Sequence, residues 1–344
     1  MPVGQAASVA GPDEPPRDCY QTTTGVAARG DDVWTSDDCL PGAGDDNAPW
    51  AEPRYAIERL HPDGSVQRLE PVEIDGAPVG YVKVEAVGPD GTLFATGDDG
   101  ELLARSPDGT WRRLPGGGTP IDVHVGDDGV TYLADRNAVR ALTTGGGERT
   151  LAGDRDAPYN GETVYADQTA PNPRPSVSSE IPTLTGLTVR RDGTVVLLAT
   201  DSILTLDPQG TLRTLVAPDS SGTDPQTRLV RAGLQGSGPG SALVSAVPYG
   251  DDVLVYDLSA GRLLRVDGAG RITFVAGDAT DTGGAPASGY RPLADIAEQV
   301  ADRGKQVSLS EASLNAVTGL AVLDGQLLLA ASERGVLRLG LPGP

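Results

Sequence analysis

The stretch from Leu184 to Val216 reads LTGLTVRRDGTVVLLATDSILTLDPQGTLRTLV and contains four short apolar runs. Three turn signals separate these runs: Arg191-Asp192-Gly193, Asp201 and Pro208-Gln209-Gly210. Glycine supplies the positive φ angle that tight hairpin turns require, and Thr, Val, Leu and Ile between such turns favour β-strands. The stretch therefore predicts a four-stranded antiparallel meander.

The same unit recurs along the chain. Its first turn is recognisable at Gly30-Asp31-Asp32, Pro89-Asp90-Gly91, Asp127-Asp128-Gly129, Arg191-Asp192-Gly193, Gly250-Asp251-Asp252 and Leu323-Asp324-Gly325. A last turn follows at residues 61–64, 106–109, 145–147, 207–210 and 267–270. The N-terminal segment Gln5–Gly11 resembles the last strands of other units, at Arg149–Asp154 and Arg271–Asp278. We therefore expect this segment to supply the outer strand of the final unit.

These repeats predict an all-β fold, a six-bladed β-propeller of four-stranded antiparallel blades in one domain spanning residues 1–344. The blades are expected at residues 20–70, 81–115, 119–153, 183–217, 241–277 and 316–341 plus 3–11. One short helix is expected in an insertion at Pro292–Gly304, with Leu293, Ile296 and Val300 on one face. That face would pack on the propeller or, alternatively, bind a partner.

The turns within hairpins are short, whereas four long segments occur elsewhere: Asp37–Arg54, Asp154–Pro182, Pro218–Gly240 and Asp278–Asn315. In a propeller, all four segments would leave from the same face, opposite the short turns. Loops carry binding and catalytic residues more often than the scaffold does, so this long-loop face is the predicted site. The alternative is that these segments are tolerated insertions without a function.

The formal net charge of -21 argues against nucleic-acid binding, because an acidic surface repels phosphate backbones. It indicates either a solubility or salt-tolerance surface, or a face that collects cations. No apolar run approaches the roughly 20 residues that a membrane-spanning helix needs, so membrane insertion is not expected.

The two cysteines, Cys19 and Cys39, flank a predicted hairpin that turns near Gly30. In such a hairpin they fall almost opposite each other, which predicts a disulfide. A disulfide implies an oxidising location, extracellular or in the cell envelope. The alternative is two free thiols in a cytosolic protein.

Several segments resemble the NHL repeat. They are Phe274-Val275-Ala276-Gly277-Asp278, Ala312-Ser313-Leu314-Asn315, Thr318-Gly319-Leu320-Ala321-Val322 and the turn Asp324-Gly325. The pattern is repeated from Leu151-Ala152-Gly153-Asp154 to Thr185-Gly186-Leu187, and from Ser8-Val9-Ala10-Gly11 to Thr24-Gly25-Val26. The resemblance covers most of the chain and implies a propeller fold.

The resemblance implies three kinds of function: a sensor or ligand-binding ectodomain, RNA binding through a basic face, and a peptide-amidating lyase with a histidine-ligated zinc. This acidic chain lacks the basic face. It has only two histidines, His61 and His124, so a three-histidine catalytic zinc site cannot be built. The NHL resemblance therefore favours a binding role.

Candidate ligand-binding residues occur on the innermost strands, which line the channel of a propeller. Lys83 and Asp122 are expected at corresponding positions of adjacent blades, and His124 alternates with Asp122. They would orient a small polar ligand or, alternatively, form an ion pair between blades and a structural histidine contact. Thr24, Thr185 and Thr318 precede Gly25, Gly186 and Gly319, glycines that would let backbones approach closely near the axis.

The second strands of the units end in acidic or polar residues: Asp37, Asp98, Asp135, Asp201, Asp257 and Ser332. These carboxylates would accept backbone N–H bonds or, alternatively, hold Ca²⁺. No other cofactor is expected.

The insertions carry residue types that are enriched at binding hot spots, among them Arg54, Tyr55, Tyr159, Arg228, Tyr290 and Arg291. No nucleophile elbow, phosphate-binding loop or dinucleotide fingerprint occurs. We therefore predict a monomeric extracytoplasmic binding or sensor propeller that recognises a protein, peptide or glycan on the long-loop face. The alternative is a hydrolase or lyase that uses carboxylates at the channel mouth, with or without calcium.

Overall fold

The strands of this protein form two compact units in a computed structural model. The structure describes residues 5–10, 19–41, 54–61, 65–69, 72–114, 119–143, 147–155, 174–175, 181–199, 202–216, 243–258, 261–277, 291–292, 307–308, 312–314, 317–331 and 335–341. The first unit contains Met1–Thr119 and Arg291–Gly343, and the second contains Pro120–Tyr290 together with Pro344.

The first unit contains three larger antiparallel sheets. Sheet 1 consists of β2 (Cys19–Arg29), β3 (Asp32–Pro41), β4 (Arg54–Leu60) and β5 (Val66–Arg68). Sheet 2 consists of β8 (Val82–Val87), β9 (Leu93–Gly97), β10 (Leu102–Arg105) and β11 (Trp111–Arg113). Sheet 6 has the order β26 (Val307–Ser308), β1 (Gln5–Ala10), β30 (Gly335–Gly340), β29 (Gln326–Ala331) and β28 (Val317–Leu323). Two small pairs complete the unit, β6 (Glu73–Ile74) with β7 (Ala77–Pro78) and β25 (Arg291–Pro292) with β27 (Ala312–Ser313).

The second unit also contains three antiparallel sheets. Sheet 3 consists of β12 (Asp122–Val125), β13 (Thr131–Ala134), β14 (Ala138–Leu142) and β15 (Glu148–Gly153). Sheet 4 consists of β17 (Leu184–Val189), β18 (Val195–Ala199), β19 (Ile203–Leu206) and β20 (Thr211–Val216), with β16 (Arg174–Pro175) added at β20. Sheet 5 consists of β21 (Leu243–Tyr249), β22 (Asp252–Asp257), β23 (Arg262–Val266) and β24 (Ile272–Gly277).

The structure confirms the all-β class and the predicted blade, a four-stranded antiparallel sheet of a propeller. The predicted count of six is corrected to five blades of four consecutive strands, because sheet 6 combines strands from both ends of the chain. The predicted pairing of the N-terminal segment is confirmed, since Ala6 of β1 lies opposite Leu339 of β30.

Sheet 4 shows why the central strands read as continuous apolar runs. Every residue of β18 is buried. Val195 and Leu197 pack in one cluster with residues of sheet 3, while Val196 and Leu198 pack in another with residues of sheet 5. Because successive side chains of a strand point to opposite faces, a sheet between two neighbours needs apolar residues at every position.

The predicted helix at Pro292–Gly304 is not observed. Pro292 lies in the short strand β25, residues 293–304 lie outside the described residues, and the described residues contain no helix. Consistently, the described part of the chain offers no helix with the length and apolar character that crossing a membrane requires.

Parts of two long insertions lie at outer sheet edges and not at the predicted face. Arg174 of β16 pairs with Leu212 at the start of β20, and Ser308 of β26 pairs with Gln5 of β1. For these residues the predicted placement is wrong. An outer strand exposes unpaired backbone groups, and the inserted segments satisfy them.

The cysteines do not lie opposite each other. The tight turn places Arg29 opposite Asp32, and after a register shift between Thr23 and Gly25 the partner of Cys19 is Pro41 and that of Cys39 is Gln21. The expected register is therefore wrong by two residues. The structure shows no disulfide among the side chains it describes, and the side chains of Cys19 and Cys39 lie outside them.

Candidate functional site

Glycines on the innermost strands allow neighbouring sheets to approach closely, as predicted. In the first unit, a Cβ atom on Gly25 would lie 2.3 Å from the carbonyl oxygen of Val84 in the next sheet. In the second unit, a Cβ atom on Gly186 would lie 3.0 Å from Oδ2 of Asp122. Any larger residue at these positions would push the sheets apart.

Asp122 links two sheets of the second unit. Its Oδ2 accepts a hydrogen bond from the backbone N–H of Leu187 at 2.8 Å, and its Oδ1 accepts one from Val123 at 2.9 Å. The first unit uses the same principle, because Ser36 Oγ accepts a bond from the backbone N–H of Val84 at 3.0 Å. The contacts of Asp122 are thus those of a structural link between blades.

His124 also faces the neighbouring sheet of the second unit. Its Nδ1 lies 3.4 Å from Oγ1 of Thr188, a buried residue of β17. The contact is long and links His124 to a hydroxyl group. Asp122 and His124 thus both contact β17.

Lys83 belongs to a polar group in the first unit. Its Nζ lies 3.0 Å from Oε2 of the well-buried Glu85, whose Oε1 accepts a hydrogen bond from Thr96 at 2.8 Å. Burial raises the pKa of the nearby Tyr81, against the opposing effect of the Lys83 charge. Lys83 therefore has a partner in its own blade, and its expected pairing with Asp122 stays a prediction.

Two strand-end aspartates form buried ion pairs with arginines five residues further on. Asp135 binds Arg140 through two bonds, of 2.5 and 2.8 Å, and Asp257 lies 3.0 Å from Nε of Arg262. Asp98 instead accepts backbone N–H bonds from the segment before β8. These carboxylates therefore serve the scaffold.

No group of three or more histidine, cysteine, aspartate or glutamate side chains that could hold a metal ion occurs among the described residues. Asp37 is described and buried, whereas Asp201 and Ser332 lie outside the described residues. The described strand-end carboxylates thus offer no assembled calcium site.

The predicted recognition residues of the insertions are described only in part. Arg54 and Tyr55 lie at the start of β4, and Arg54 pairs with Cys39 at the end of the hairpin away from the short turns. Arg291 pairs with Ala312 in the first unit. The side chains of these three residues, and all of Tyr159, Arg228 and Tyr290, lie outside the described residues.

A cleft that sequence reasoning missed lies in the second unit, between sheets 3 and 4. It has a volume of about 1080 Å³ and is bordered by the short turns at residues 126–129, 190–193 and 206–210. Its walls include Tyr132, Ala141, Leu151, Val195 and Leu206. This cleft lies at the short-turn ends of the strands, opposite the ends from which the insertions leave.

Tyr132 is the aromatic wall of this cleft. Burial raises the pKa of its hydroxyl group, and the charge of Asp128 adds to the rise, while Arg149 opposes it. The sequence signal for this position was available, since Tyr132 stands three residues after the turn glycine Gly129. The sequence did not predict which side chains of the next sheet would face Tyr132.

No protein-family model matches the chain, and no curated protein matches it. Among solved structures, an auxiliary nutrient binding protein from Bacteroides thetaiotaomicron superposes with a TM-score of 0.57 at 10% identity, covering 98% of this chain and 76% of that one. A protein of unknown function from the same species has a TM-score of 0.56 at 13% identity, covering 97% and 75%. An auxiliary nutrient binding protein from Bacteroides ovatus has 0.55 at 12%, covering 97% and 76%. The structural neighbours are β-propeller proteins, and the fold of this chain is therefore that of a β-propeller.

Proposed function

We propose that this chain is a binding or sensor β-propeller of NHL type, which recognises a protein, peptide or glycan partner through its long-loop face. The observation that carries this proposal is that the polar groups of the inner strands and strand ends form hydrogen bonds and ion pairs within the scaffold. Asp122 holds Leu187, Asp135 holds Arg140, and Asp257 holds Arg262. Carboxylates held in this way are poorly suited to proton transfer, whereas a rigid scaffold suits recognition.

The position of the first insertion supports the same proposal. Arg54 and Tyr55 begin β4 at the end opposite the short turns, next to the end of β3. Tyrosine, tryptophan and arginine recur in the insertions of a chain that is otherwise poor in aromatic residues. Such residues supply large contact areas at a small entropic cost, which is why they concentrate in binding surfaces.

Further parts of the proposal concern the assembly and location of the protein. We propose that the protein is a monomer and that it acts outside the cytoplasm or in the cell envelope. Nutrient binding is what the names of two structural neighbours state of those proteins. A soluble nutrient or glycan is accordingly one ligand class to include in the test.

The test compares partner capture by the native protein and by a variant carrying Tyr159→Ala, Tyr290→Ala and Arg291→Ala. Both are immobilised and exposed to native extract and to a glycan array, after circular dichroism has established equal folding. Arg271→Ala is the matched control, because Arg271 is an exposed arginine on a short turn. We expect the control to retain the partner and the triple variant to lose it. Equal capture by all three proteins would contradict the proposal.

A further inference from the structure

Trp34 and Tyr132 occupy equivalent positions in the two units. Each follows the first turn of its blade and packs against the next sheet of its own unit, Trp34 with residues of sheet 2 and Tyr132 with residues of sheet 4. The strand register also identifies the residues that lie beside these two rings. Trp34 lies opposite Arg59 on the neighbouring strand, whereas Tyr132 lies opposite Ala141.

In the first unit, two arginines cover the aromatic ring. The guanidinium carbons of Arg59 and Arg105 lie 5.3 and 5.7 Å from the ring centroid of Trp34. Arg59 is held by Asp32, and its Nε donates to Oδ1 at 2.8 Å. Burial, and then the charge of Arg59, lower the pKa of Arg105. Two cations are thus kept together on one aromatic ring, where the ring quadrupole attracts them.

In the second unit, both arginines are replaced by short apolar residues. Ala141 occupies the position of Arg59, because it lies opposite Tyr132. Leu206 occupies the position of Arg105. Arg105 pairs with Leu93, the first residue of β9, and Leu206 pairs with Val195, the first residue of β18. The space that the guanidinium groups fill beside Trp34 belongs here to the cleft of about 1080 Å³. Among the described residues, no cation stacks on Tyr132.

The charges around this cleft favour a cationic ligand. Its border carries five acidic residues and three arginines, namely Asp127, Asp128, Glu148, Asp192 and Asp207 against Arg149, Arg190 and Arg191. Glu148 forms ion pairs with Arg140 at 3.0 Å and with Arg155 at 3.7 Å, so its charge is already compensated. Arg190 is directed away to the next blade, where its Nη2 lies 3.4 Å from the carbonyl oxygen of Asp267. The chain as a whole has a net charge of -21, which attracts basic partners.

We propose that the cleft between sheets 3 and 4 binds an arginine-bearing peptide segment of a partner protein, whose guanidinium group stacks on Tyr132 as Arg59 and Arg105 stack on Trp34. The apolar residues Val130 and Leu151, which are only partly buried and line the cleft, would contact the neighbouring side chains of the peptide. This site lies at the short-turn ends of the strands, so it is independent of the function proposed for the long-loop face.

The test measures binding of the fluorescein-labelled peptide Leu-Arg-Leu-Arg-Leu to the full chain by fluorescence anisotropy at physiological ionic strength. The same peptide with citrulline in place of arginine keeps the shape and removes the charge. We expect Tyr132→Phe to bind the arginine peptide like the native protein, since it keeps the ring. Tyr132→Leu is expected to weaken binding about three- to tenfold, the range of a partly desolvated cation–π contact.

Ala141→Arg is expected to abolish binding, because the new arginine of the protein would itself stack on Tyr132 and occupy the place of the peptide's guanidinium group. Equal affinity for the citrulline peptide, absence of saturable binding, or unchanged affinity in Tyr132→Leu would each overturn the proposal. If Ala141→Arg lowers the melting temperature, Arg149→Gln provides the second test, because Arg149 is exposed at the cleft border. Removal of its like charge should tighten binding of the arginine peptide about twofold or more, and weaker or unchanged binding would also overturn the proposal.

Discussion

Replacement of Arg262 by methionine is expected to destabilise the protein strongly. Arg262 and Asp257 expose 0% and 1% of their side chains, and Nε lies 3.0 Å from Oδ2. Methionine retains most of the apolar volume but leaves the carboxylate of Asp257 buried without its cation. The removal of one member of a buried ion pair costs about 3–5 kcal/mol of the free energy of unfolding.

The assay is equilibrium unfolding in urea, followed by circular dichroism for the native protein and three variants. Arg271→Met is the matched control, because Arg271 forms an ion pair with Asp267 in the same blade but has 84% of its side chain exposed. We expect little measurable change in this control, since solvent screens an exposed pair. The double variant Asp257→Leu, Arg262→Met should recover part of the loss. The reasoning is refuted if Arg262→Met behaves like the control, or if the double variant is less stable than the single one.

Three further outcomes test the contacts described above. Asp122→Ala should lower the free energy of unfolding by about 1–3 kcal/mol in urea titrations, because it leaves the backbone N–H of Leu187 without its acceptor; an unchanged midpoint would contradict the assigned link. Burial raises the pKa of Tyr132 above its unfolded value of about 10, so its contribution to stability is present below that pH and lost as the pH rises further. Tyr132→Phe should therefore flatten the fall of melting temperature between pH 9 and 11.5, about the range in which tyrosine titrates; an equally steep fall would show that Tyr132 does not contribute. Added Ca²⁺ or a chelator should leave the melting temperature unchanged, and a calcium-dependent rise would favour the enzyme alternative over the binding function.

Much of the blade could be predicted because its signals are local. The stretch from Leu184 to Val216 forms β17 to β20 as expected, since short apolar runs between glycine-containing turns allow few other arrangements. The pairing of the N-terminal segment with the last strand was also predictable. Its sequence resembles the last strands of other blades, and β1 indeed occupies that place beside β30.

Errors arose where the outcome depended on register or on contacts between sheets. The tight turn that places Arg29 opposite Asp32 offsets Cys39 from the partner of Cys19, and the shift between Thr23 and Gly25 reduces that offset to two residues. Neither the exact turn nor the shift leaves a clear signal in composition. Likewise, the acidic ends of the second strands were visible, but their partners were not, because Arg140 and Arg262 are identified only once the strands are paired.

The amino-acid sequence by itself determined the strands, the turns and the composite last sheet, because these depend on side-chain alternation and on backbone preferences within a few residues. Only the tertiary structure decided which polar groups hold the blades together and where an open cleft remains. Trp34 and Tyr132 look alike in the sequence, yet two arginines cover the ring of Trp34, whereas no cation from the described part of the chain stacks on Tyr132. The reason is that the residues facing an aromatic side chain between two blades come from another strand and another sheet, and their identity at that point is set by packing.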